Sequence, residues 1–227
     1  MEIRSGAIGA DHKETLNEHG HVVVQDILEP ADAAALADRV AAIKEWDFAF
    51  TTPQGPCCLD AAKIAAQTPQ QRQNMMAQLT QQAQRGFSMA YQRRDVVPGP
   101  AADEQLAEWI KGPHLLNAIK DLTGDNSLDR VDGHLSQYTA GSYLSSHDDT
   151  YAGKERRFAF VLGLTRRWQA DWGGLLHFTT NQETVTKTLV PGFNTLTIFS
   201  VPQMHFVSQV ASYAPERRLT VTGWAFA

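Results

Sequence analysis

The change in residue pattern near position 125 constrains the fold of this chain of 227 residues more than any other feature. Residues from about 12 to 125 are rich in Ala, Gln and Leu, and their apolar positions recur at helical spacing. Residues from about 128 to 227 are rich in Thr, Val, Phe and Gly, in short runs that Gly and Pro turns separate. The sequence therefore predicts a helical first half and a β-rich second half.

Helix signals divide the first half into separate elements. The pair Thr68-Pro69 is typical of a helix start, because Thr caps the terminus and Pro fits the first turn. Helices are predicted over about 11–18, 30–44, 59–85, 102–111 and 113–123. Strands are predicted at 21–28 and 86–93. The stretches 51–58 and 91–101 are loops and candidate lids over a ligand site.

The second half has the spacing of an antiparallel sandwich. Strands are predicted over about 128–138, 156–164, 174–180, 184–190, 193–200, 204–210 and 217–226. Seven or eight such strands after a helical region indicate a mainly β fold, a double-stranded β-helix (jelly-roll) sandwich buttressed by helices. The length suits one domain over residues 1–227, with helical support over about 1–125 and the jelly-roll core over about 128–227.

One predicted strand, at 156–164, is apolar on both faces. Bulky and small side chains alternate along it, so that one face carries Phe158, Phe160, Leu162 and Leu164 and the other Ala159, Val161 and Gly163. A strand that is apolar on both sides is covered on both sides. We expect one face to point into the sandwich and the other to lie under the helices, with room for a ligand on the small-residue side.

Three side chains of the second half form a candidate metal site: His147, Asp149 and His205. Two imidazoles and one carboxylate are the ligand set of non-heme Fe(II) oxygenases, which leave the other metal positions open. In an extended strand, residues two apart point to the same side, so His147 and Asp149 are predicted to reach one metal while Asp148 faces away. His205 must then come from a distant strand that a closed sandwich brings alongside.

A fourth side chain, Arg218, lies thirteen residues after His205, at the entry to the last predicted strand. Its fixed positive charge and planar fork suit a dicarboxylate cosubstrate, because they pair bidentately with a carboxylate. Each residue also has an ordinary structural interpretation. Asp149 can belong to a solvated turn, His205 can be a core histidine and Arg218 a surface residue. The four together, in this order, favour the metal site.

Composition excludes several classes of protein. The net charge is −5 with no Lys/Arg block, so no large nucleic-acid footprint is expected. The two cysteines, Cys57 and Cys58, are adjacent and form no disulfide framework or zinc spacing. No apolar run reaches membrane-spanning length, and the N-terminus has no apolar signal core. We therefore expect a reducing, cytoplasmic setting and no membrane partner.

The block from about 132 to 227 resembles the 2-oxoglutarate/Fe(II)-dependent dioxygenases of the prolyl hydroxylase branch. The resemblance is carried by residues 137–141, 147–149, 156–164, 172–178 and 190–196, by His205, and by 218–224. Within this branch it is most similar to the catalytic domain of ribosomal-protein prolyl hydroxylases, which carry a second jelly-roll domain that is not expected in this shorter chain. The helical half is similar only in its general layout.

The resemblance implies the roles of the site residues. His147, Asp149 and His205 would bind iron, and Arg218 would hold the distal carboxylate of 2-oxoglutarate. The remaining cosubstrate residues it implies are Tyr138 through its hydroxyl, Leu176 against the methylenes, and Thr220, which shares the inward face of Arg218. Tyr138 is alternatively a strand tyrosine at the sandwich edge, and Leu176 alternatively plain core.

Two residues are implied near the prime substrate. Trp224 would form a wall beside the iron or serve as packing, and Arg157 would meet the substrate or lie on an edge-strand surface. One departure from the branch is Gly163, where several members have a tyrosine that points at the cosubstrate. Either Tyr138 then makes that hydrogen bond alone, or the pocket is wider.

The resemblance implies an enzyme that uses Fe(II) and 2-oxoglutarate, with ascorbate as reductant, to hydroxylate an unactivated C–H bond. Asp149 fills the position that radical halogenases of the superfamily leave open for chloride, which favours hydroxylation. The implied substrate is a prolyl residue in a protein or peptide. A free amino acid or other small molecule, a non-catalytic jelly-roll binding module and a zinc enzyme are the alternatives, and the oligomeric state stays open.

Overall fold

The predicted helices begin and end at sequence signals. The computed structural model describes residues 1–96, 101–181 and 183–227, of which 101–103 by backbone alone. Its helices are α1 (Ala10–His19), α2 (Pro30–Ala42), α3 (Ala61–Ala65), α4 (Pro69–Ala83), α5 (Ala101–Lys111) and α6 (Pro113–Thr123). Thr68 caps α4 by accepting a hydrogen bond from the Gln71 amide. None of the described helices combines the length and apolar character needed to cross a membrane.

Four strands lie in the same half: β1 (His21–Gln25), β2 (Asp47–Thr52), β3 (Gly55–Leu59) and β4 (Met89–Asp95). β1 and β4 confirm the two predicted strands. β2 and β3 correct the prediction of a loop at 51–58, because they form a hairpin in which Thr52 pairs with Gly55. Pro53 and Gln54 make only a two-residue turn there. Residues 97–100 of the other candidate lid lie outside the described residues.

The second half adds β5 (Arg130–Tyr138), β6 (Tyr143–His147), β7 (Arg156–Leu164), β8 (Leu176–Thr179), β9 (Val185–Leu189), β10 (Phe193–Ser200), β11 (His205–Val207) and β12 (Arg218–Phe226). Of these, only β6 is not predicted from the sequence. Neighbouring strands pair antiparallel in the order β1-β10-β7-β12-β5-β4-β6-β11-β8-β9. This curled antiparallel sheet with its helices confirms the predicted jelly-roll fold class.

Two apolar clusters show how the sheet is covered. The larger cluster joins the helices to one face of β7, with Leu36, Leu115 and Phe160 all at 1% exposure or less. The smaller cluster lies inside the curl of the sheet and includes Ala159 and Phe199. The predicted division of β7 is therefore confirmed, because its bulky residues pack under the helices and its small residues face the interior. That interior contains the candidate site.

Candidate metal centre and anion site

Strand pairing brings the two predicted histidine ligands together. His147 ends β6 and His205 begins β11, and the antiparallel register places these two residues opposite each other. Their imidazole centroids are 4.1 Å apart. The ladder between β6 and β11 therefore positions both rings, although the two residues are far apart in sequence.

Asp149 reaches the same point by a route that the strand pattern does not predict. β6 ends at His147, and Asp149 lies beyond it with a φ of 63°, in the left-handed region. Few non-glycine residues adopt this region, and Asp is among those that do. The prediction that strand alternation directs His147 and Asp149 to one side is wrong, because a left-handed turn directs the carboxylate.

A hydrogen bond from Arg156 holds this turn. The Arg156 Nη1 donates to the main-chain carbonyl of Asp149 at 3.0 Å. The guanidinium carbon of Arg156 also lies 3.7 Å from the ring centroid of Trp224. Stacking on an aromatic face restricts where the guanidinium can lie. Arg156 therefore positions Asp149 through its main chain.

The donor atoms of the three side chains converge. The Nε2 atoms of His147 and His205 lie 3.5 Å from Oδ1 and Oδ2 of Asp149, respectively. All three donor atoms lie within 4.8 Å of one another. The Nδ1 atoms contact the carbonyls of Ser145 at 2.9 Å and Gln203 at 2.7 Å. Such partners set the tautomer in which Nε2 is free to bind a metal.

Burial and charge set the protonation of this cluster. Burial, together with the charge of His147, lowers the pKa of His205 to about 4, so its imidazole is neutral near pH 7. Burial works to raise the pKa of Asp149, but its hydrogen bond to His147 and the charges of His205 and His147 outweigh burial. The net effect is a pKa below the ordinary value. A neutral imidazole and an ionised carboxylate are the forms that bind divalent metals.

Arg218 lies in the interior at the other end of the site, with an exposed fraction of 4%. It is opposite Tyr138 in the β12–β5 ladder, and its Nη1 donates to the Gly174 carbonyl at 2.6 Å. Within the described part of the chain, the Nε of Arg218 has no hydrogen-bond partner. Burial lowers the pKa of Arg218, and among the described residues no carboxylate contributes to that pKa. A buried cation without a counter-ion is costly, so this end of the site suits an anionic ligand.

One cavity of about 450 Å³ connects the two ends. It is lined by eight of the nine predicted site residues: His147, Asp149, His205, Arg218, Tyr138, Thr220, Leu176 and Trp224. The predicted lid at 51–58 reaches it through Pro56, and the lid at 91–101 through Tyr91 and Arg93. Tyr91 also stacks on Tyr138 with ring centroids 5.0 Å apart.

Arg157 is the predicted site residue that does not reach the cavity. It pairs with Asp125 at 3.4 Å, and its side chain is 56% exposed. A register shift at the start of β7 pairs Ala225 with Phe158 but Phe226 with Arg156. Such a bulge inserts one residue and reverses the faces beyond it. Arg156 consequently lines the cavity, which corrects the substrate role expected of Arg157.

The position of Gly163 does not widen the pocket. A Cβ added there would lie 2.4 Å from the Gly192 carbonyl oxygen and 2.6 Å from the Thr195 Oγ1. The chain between β9 and β10 therefore occupies the space beside Gly163. A tyrosine at this position requires a different path of that chain.

Sequence reasoning missed several cavity residues besides Arg156. His134 is 2% exposed and lines the cavity, as does Ser136. Both lie on the same face of β5 as Tyr138, His134 four residues and Ser136 two residues before it. The two-residue period of a strand, counted back from Tyr138, was a signal that could have found them.

Residues 133–226, which include this cluster, match the family model described as the 2OG-Fe(II) oxygenase superfamily. The chain also matches the prolyl 3-hydroxylase OGFOD1 of Mus musculus, at 34% identity over 103 residues. That alignment covers 42% of this chain and 18% of the mouse protein. The sequence similarity to this prolyl hydroxylase thus concerns less than half of the chain and less than a fifth of the mouse protein.

Solved structures share the fold over nearly the whole chain. A Pseudomonas putida prolyl-4-hydroxylase aligns with a TM-score of 0.60 at 21% identity, over 96% of this chain and 97% of its own. A 2OG-Fe(II) oxygenase family protein of Burkholderia pseudomallei aligns with a TM-score of 0.63 at 14% identity, over 100% and 95%. At these sequence identities, the similarity shows a shared fold and nothing further.

Proposed function

We propose that this chain is an Fe(II)- and 2-oxoglutarate-dependent oxygenase that hydroxylates a prolyl residue in a protein or peptide. One observation carries the proposal. A single cavity has the cluster of His147, Asp149 and His205 at one end and the buried Arg218, without a carboxylate partner among the described residues, at the other. A metal and a dianion fit these two ends.

The donor set fits Fe(II). His147, Asp149 and His205 offer two imidazole nitrogens and a carboxylate, and their Nδ1 contacts leave each Nε2 available. Three protein ligands leave coordination positions for the cosubstrate and dioxygen. Zn²⁺ also accepts such ligands, but a hydrolytic zinc site needs a base for its bound water.

The other end fits 2-oxoglutarate. Arg218 would pair with the distal carboxylate, and Thr220 and Tyr138 line the same part of the cavity. Burial raises the pKa of Tyr138, so its hydroxyl keeps its proton and is available as a donor. The small face of β7 and Leu176 leave an apolar passage for the methylenes.

The bound metal and cosubstrate would supply the activation of dioxygen, and the protein would supply binding and exclusion of side reactions. The ring of Phe199 lies edge-on to His205 with centroids 4.7 Å apart. Phe178 and Phe199 are buried beneath the metal end and keep water from that side. Arg156 holds Asp149 in place, and Trp224 forms the wall against which Arg156 stacks. None of these residues needs to act as a general acid or base.

The relatives support a prolyl residue in a protein or peptide as the substrate. The matched mouse protein is a prolyl 3-hydroxylase, and a neighbour of the same fold from Trichoplax adhaerens is a prolyl hydroxylase in complex with a peptide fragment. The aligned part covers less than a fifth of the mouse protein, so the substrate is carried over for the matched region alone. Hydroxylation of a free amino acid is the competing outcome that the experiment below separates.

We infer three accompanying properties. Ascorbate would serve as the reductant that returns iron to the ferrous state. The exposed, unpaired thiols of Cys57 and Cys58 suit a reducing compartment such as the cytoplasm. The chain would form one domain, since the larger apolar cluster contains residues from Ala7 to Ala225.

The test supplies the protein with Fe(II), 2-oxoglutarate, ascorbate and isotopically labelled dioxygen. Proline-containing peptides, free L-proline and a panel of amino acids are the candidate substrates. We expect labelled hydroxyproline in a peptide, with one succinate released per coupled turnover and no effect of chloride. Labelled product from small molecules alone would show that the substrate is a small molecule and not a peptide. No succinate from the metal-loaded protein under any condition would favour a non-catalytic module.

A further inference from the structure

A second cavity of about 430 Å³ adjoins the metal cavity. The two share a wall formed by Arg93, His134, Tyr151, Arg156 and Trp224. The second cavity, here called the side chamber, continues past this wall to Asp132 and to Ile110 of α5. It extends away from Arg218, which does not line it.

Unsatisfied polar atoms concentrate in the wall of the side chamber. His134 is 2% exposed, and among the described residues its Nδ1 has no hydrogen-bond partner. The Arg156 Nε and the Asp132 Oδ1 are likewise buried without a partner. Buried polar groups in folded proteins are nearly always hydrogen-bonded, and leaving one unpaired is costly. Three such atoms in one wall, beside the Trp224 Nε1, which likewise has no partner among the described residues, therefore point to a ligand.

The chemistry of these three atoms describes that ligand. The Arg156 Nε can only donate, the Asp132 carboxylate can accept, and an imidazole can do either. Burial lowers the pKa of His134 to about 3, so the ring is neutral near pH 7. A matching ligand must offer both donors and acceptors. The main chain of a peptide does so at every residue other than proline, through its N–H and C=O groups.

The dimensions favour a peptide over a single amino acid. The metal cavity of about 450 Å³ takes the cosubstrate and the reacting residue, and the side chamber adds about 430 Å³ beyond them. A free amino acid at the metal would leave the wall of Asp132 and His134 without a partner. A chain that continues past the reacting residue reaches that wall.

We propose that the side chamber binds the main chain of a peptide beside the residue oxidised at the metal, and that His134 is the specificity-determining residue that hydrogen-bonds this main chain. The inference rests on the proposed function, because it takes the metal end as the reacting end. Asp132 and Arg156 complete the binding wall as acceptor and donor.

The test measures binding without turnover, in the absence of dioxygen and in the presence of Fe(II) and 2-oxoglutarate. The probes are a library of acetylated, amidated pentapeptides with central proline and varied flanking residues, and free L-proline. Retention is measured by ultrafiltration and mass spectrometry for the wild type, His134→Leu and His134→Gln. His177→Leu is the matched control, because His177 lies on β8 outside both cavities.

We expect the wild type to retain a subset of the peptides. His134→Leu should weaken their binding by about 10-fold, as loss of a buried hydrogen bond does. His134→Gln should recover most of this loss, and His177→Leu should match the wild type. The affinity for 2-oxoglutarate should stay unchanged in His134→Leu, because Arg218 lies outside the side chamber.

Three outcomes would overturn the inference. These are equal peptide binding by the wild type and His134→Leu, retention of L-proline without any peptide, and a parallel loss of 2-oxoglutarate binding in His134→Leu, which indicates a structural role. Failure of the proposed function has a different signature. Peptides would then bind through His134, yet admission of labelled dioxygen would give no labelled product.

Discussion

The two ends of the metal cavity satisfy their charges in opposite ways. At the metal end, the Asp149 carboxylate lies between two imidazoles, and each ring has a main-chain partner on its far side. At the other end, Arg218 is buried, with an exposed fraction of 4%, but no carboxylate of the described residues accompanies it. The charge at the metal end is thus balanced by groups of the protein itself. The charge of Arg218 at the other end is balanced only when an anionic ligand binds.

This contrast predicts different consequences of substitution at the two ends. Changes at the metal end should affect metal affinity first and cosubstrate affinity only through the metal. Changes at the Arg218 end should affect the anion and leave the metal in place. Four substitutions test the contrast, in order of decreasing expected effect.

The double substitution His147→Ala/Asp149→Ala should abolish metal binding. It removes two of three ligands, so the loss should exceed the roughly 10–100-fold effect typical of residues that only support a ligand. Elemental analysis after dialysis against Fe(II) or Mn(II) measures it. Wild-type metal content in this variant would contradict the assignment of His147 and Asp149 as metal ligands.

Arg218→Ala should weaken 2-oxoglutarate binding by about 2–5 kcal/mol, because it leaves a carboxylate buried without its partner. Metal content should stay at the wild-type level. The matched control is Arg217→Ala. Arg217 bonds Gln137 and the Ala41 carbonyl on the opposite face of the strand, so its loss should change the cosubstrate affinity little. Titration calorimetry distinguishes the two, and the reverse ranking would contradict the register of β12.

Arg156→Ala should weaken metal binding by about 10–100-fold, since it frees the left-handed turn that presents Asp149. The control is its neighbour Arg157→Ala, which removes only an ion pair with Asp125 outside the cavity. Competition with a metal indicator measures both. Equal metal affinities in the two variants would show that Asp149 holds its position unaided.

Tyr138→Phe should have the smallest effect, a loss of about 0.5–1.5 kcal/mol in 2-oxoglutarate affinity from one hydrogen bond. The ring and its stacking on Tyr91 are retained, so the melting temperature should change little. A loss as large as that of Arg218→Ala would show that the hydroxyl, and not the guanidinium, dominates anion binding at this end.

Much of the fold and of the candidate site was predictable because it depends on local chemistry. Thr68 and Pro69 start α4 whatever the helix packs against, because the capping hydrogen bond joins residues only three positions apart. The two faces of β7 follow from strand alternation alone. The hairpin of β2 and β3 was missed, because its Pro and Gly are equally typical of a loop.

The errors at the site have one physical origin, which is backbone irregularity that side-chain patterns do not report. Arg157 was expected at the substrate end, and the bulge in β7 presents Arg156 there instead. Asp149 was expected on a strand, and it lies in a left-handed turn after the strand. A bulge or a turn changes which side chain faces inward without changing any residue type.

The sequence by itself determined the chemical inventory, namely two imidazoles, a carboxylate and a late arginine, together with a β-rich half able to bring them together. These follow from residue identity and period, which act over a few residues. Only the tertiary structure decided that Arg218 is buried without a carboxylate partner among the described residues and that His134 lines both cavities. Burial and partnership depend on residues distant in the chain, so they exist only once β12 lies between β5 and β7.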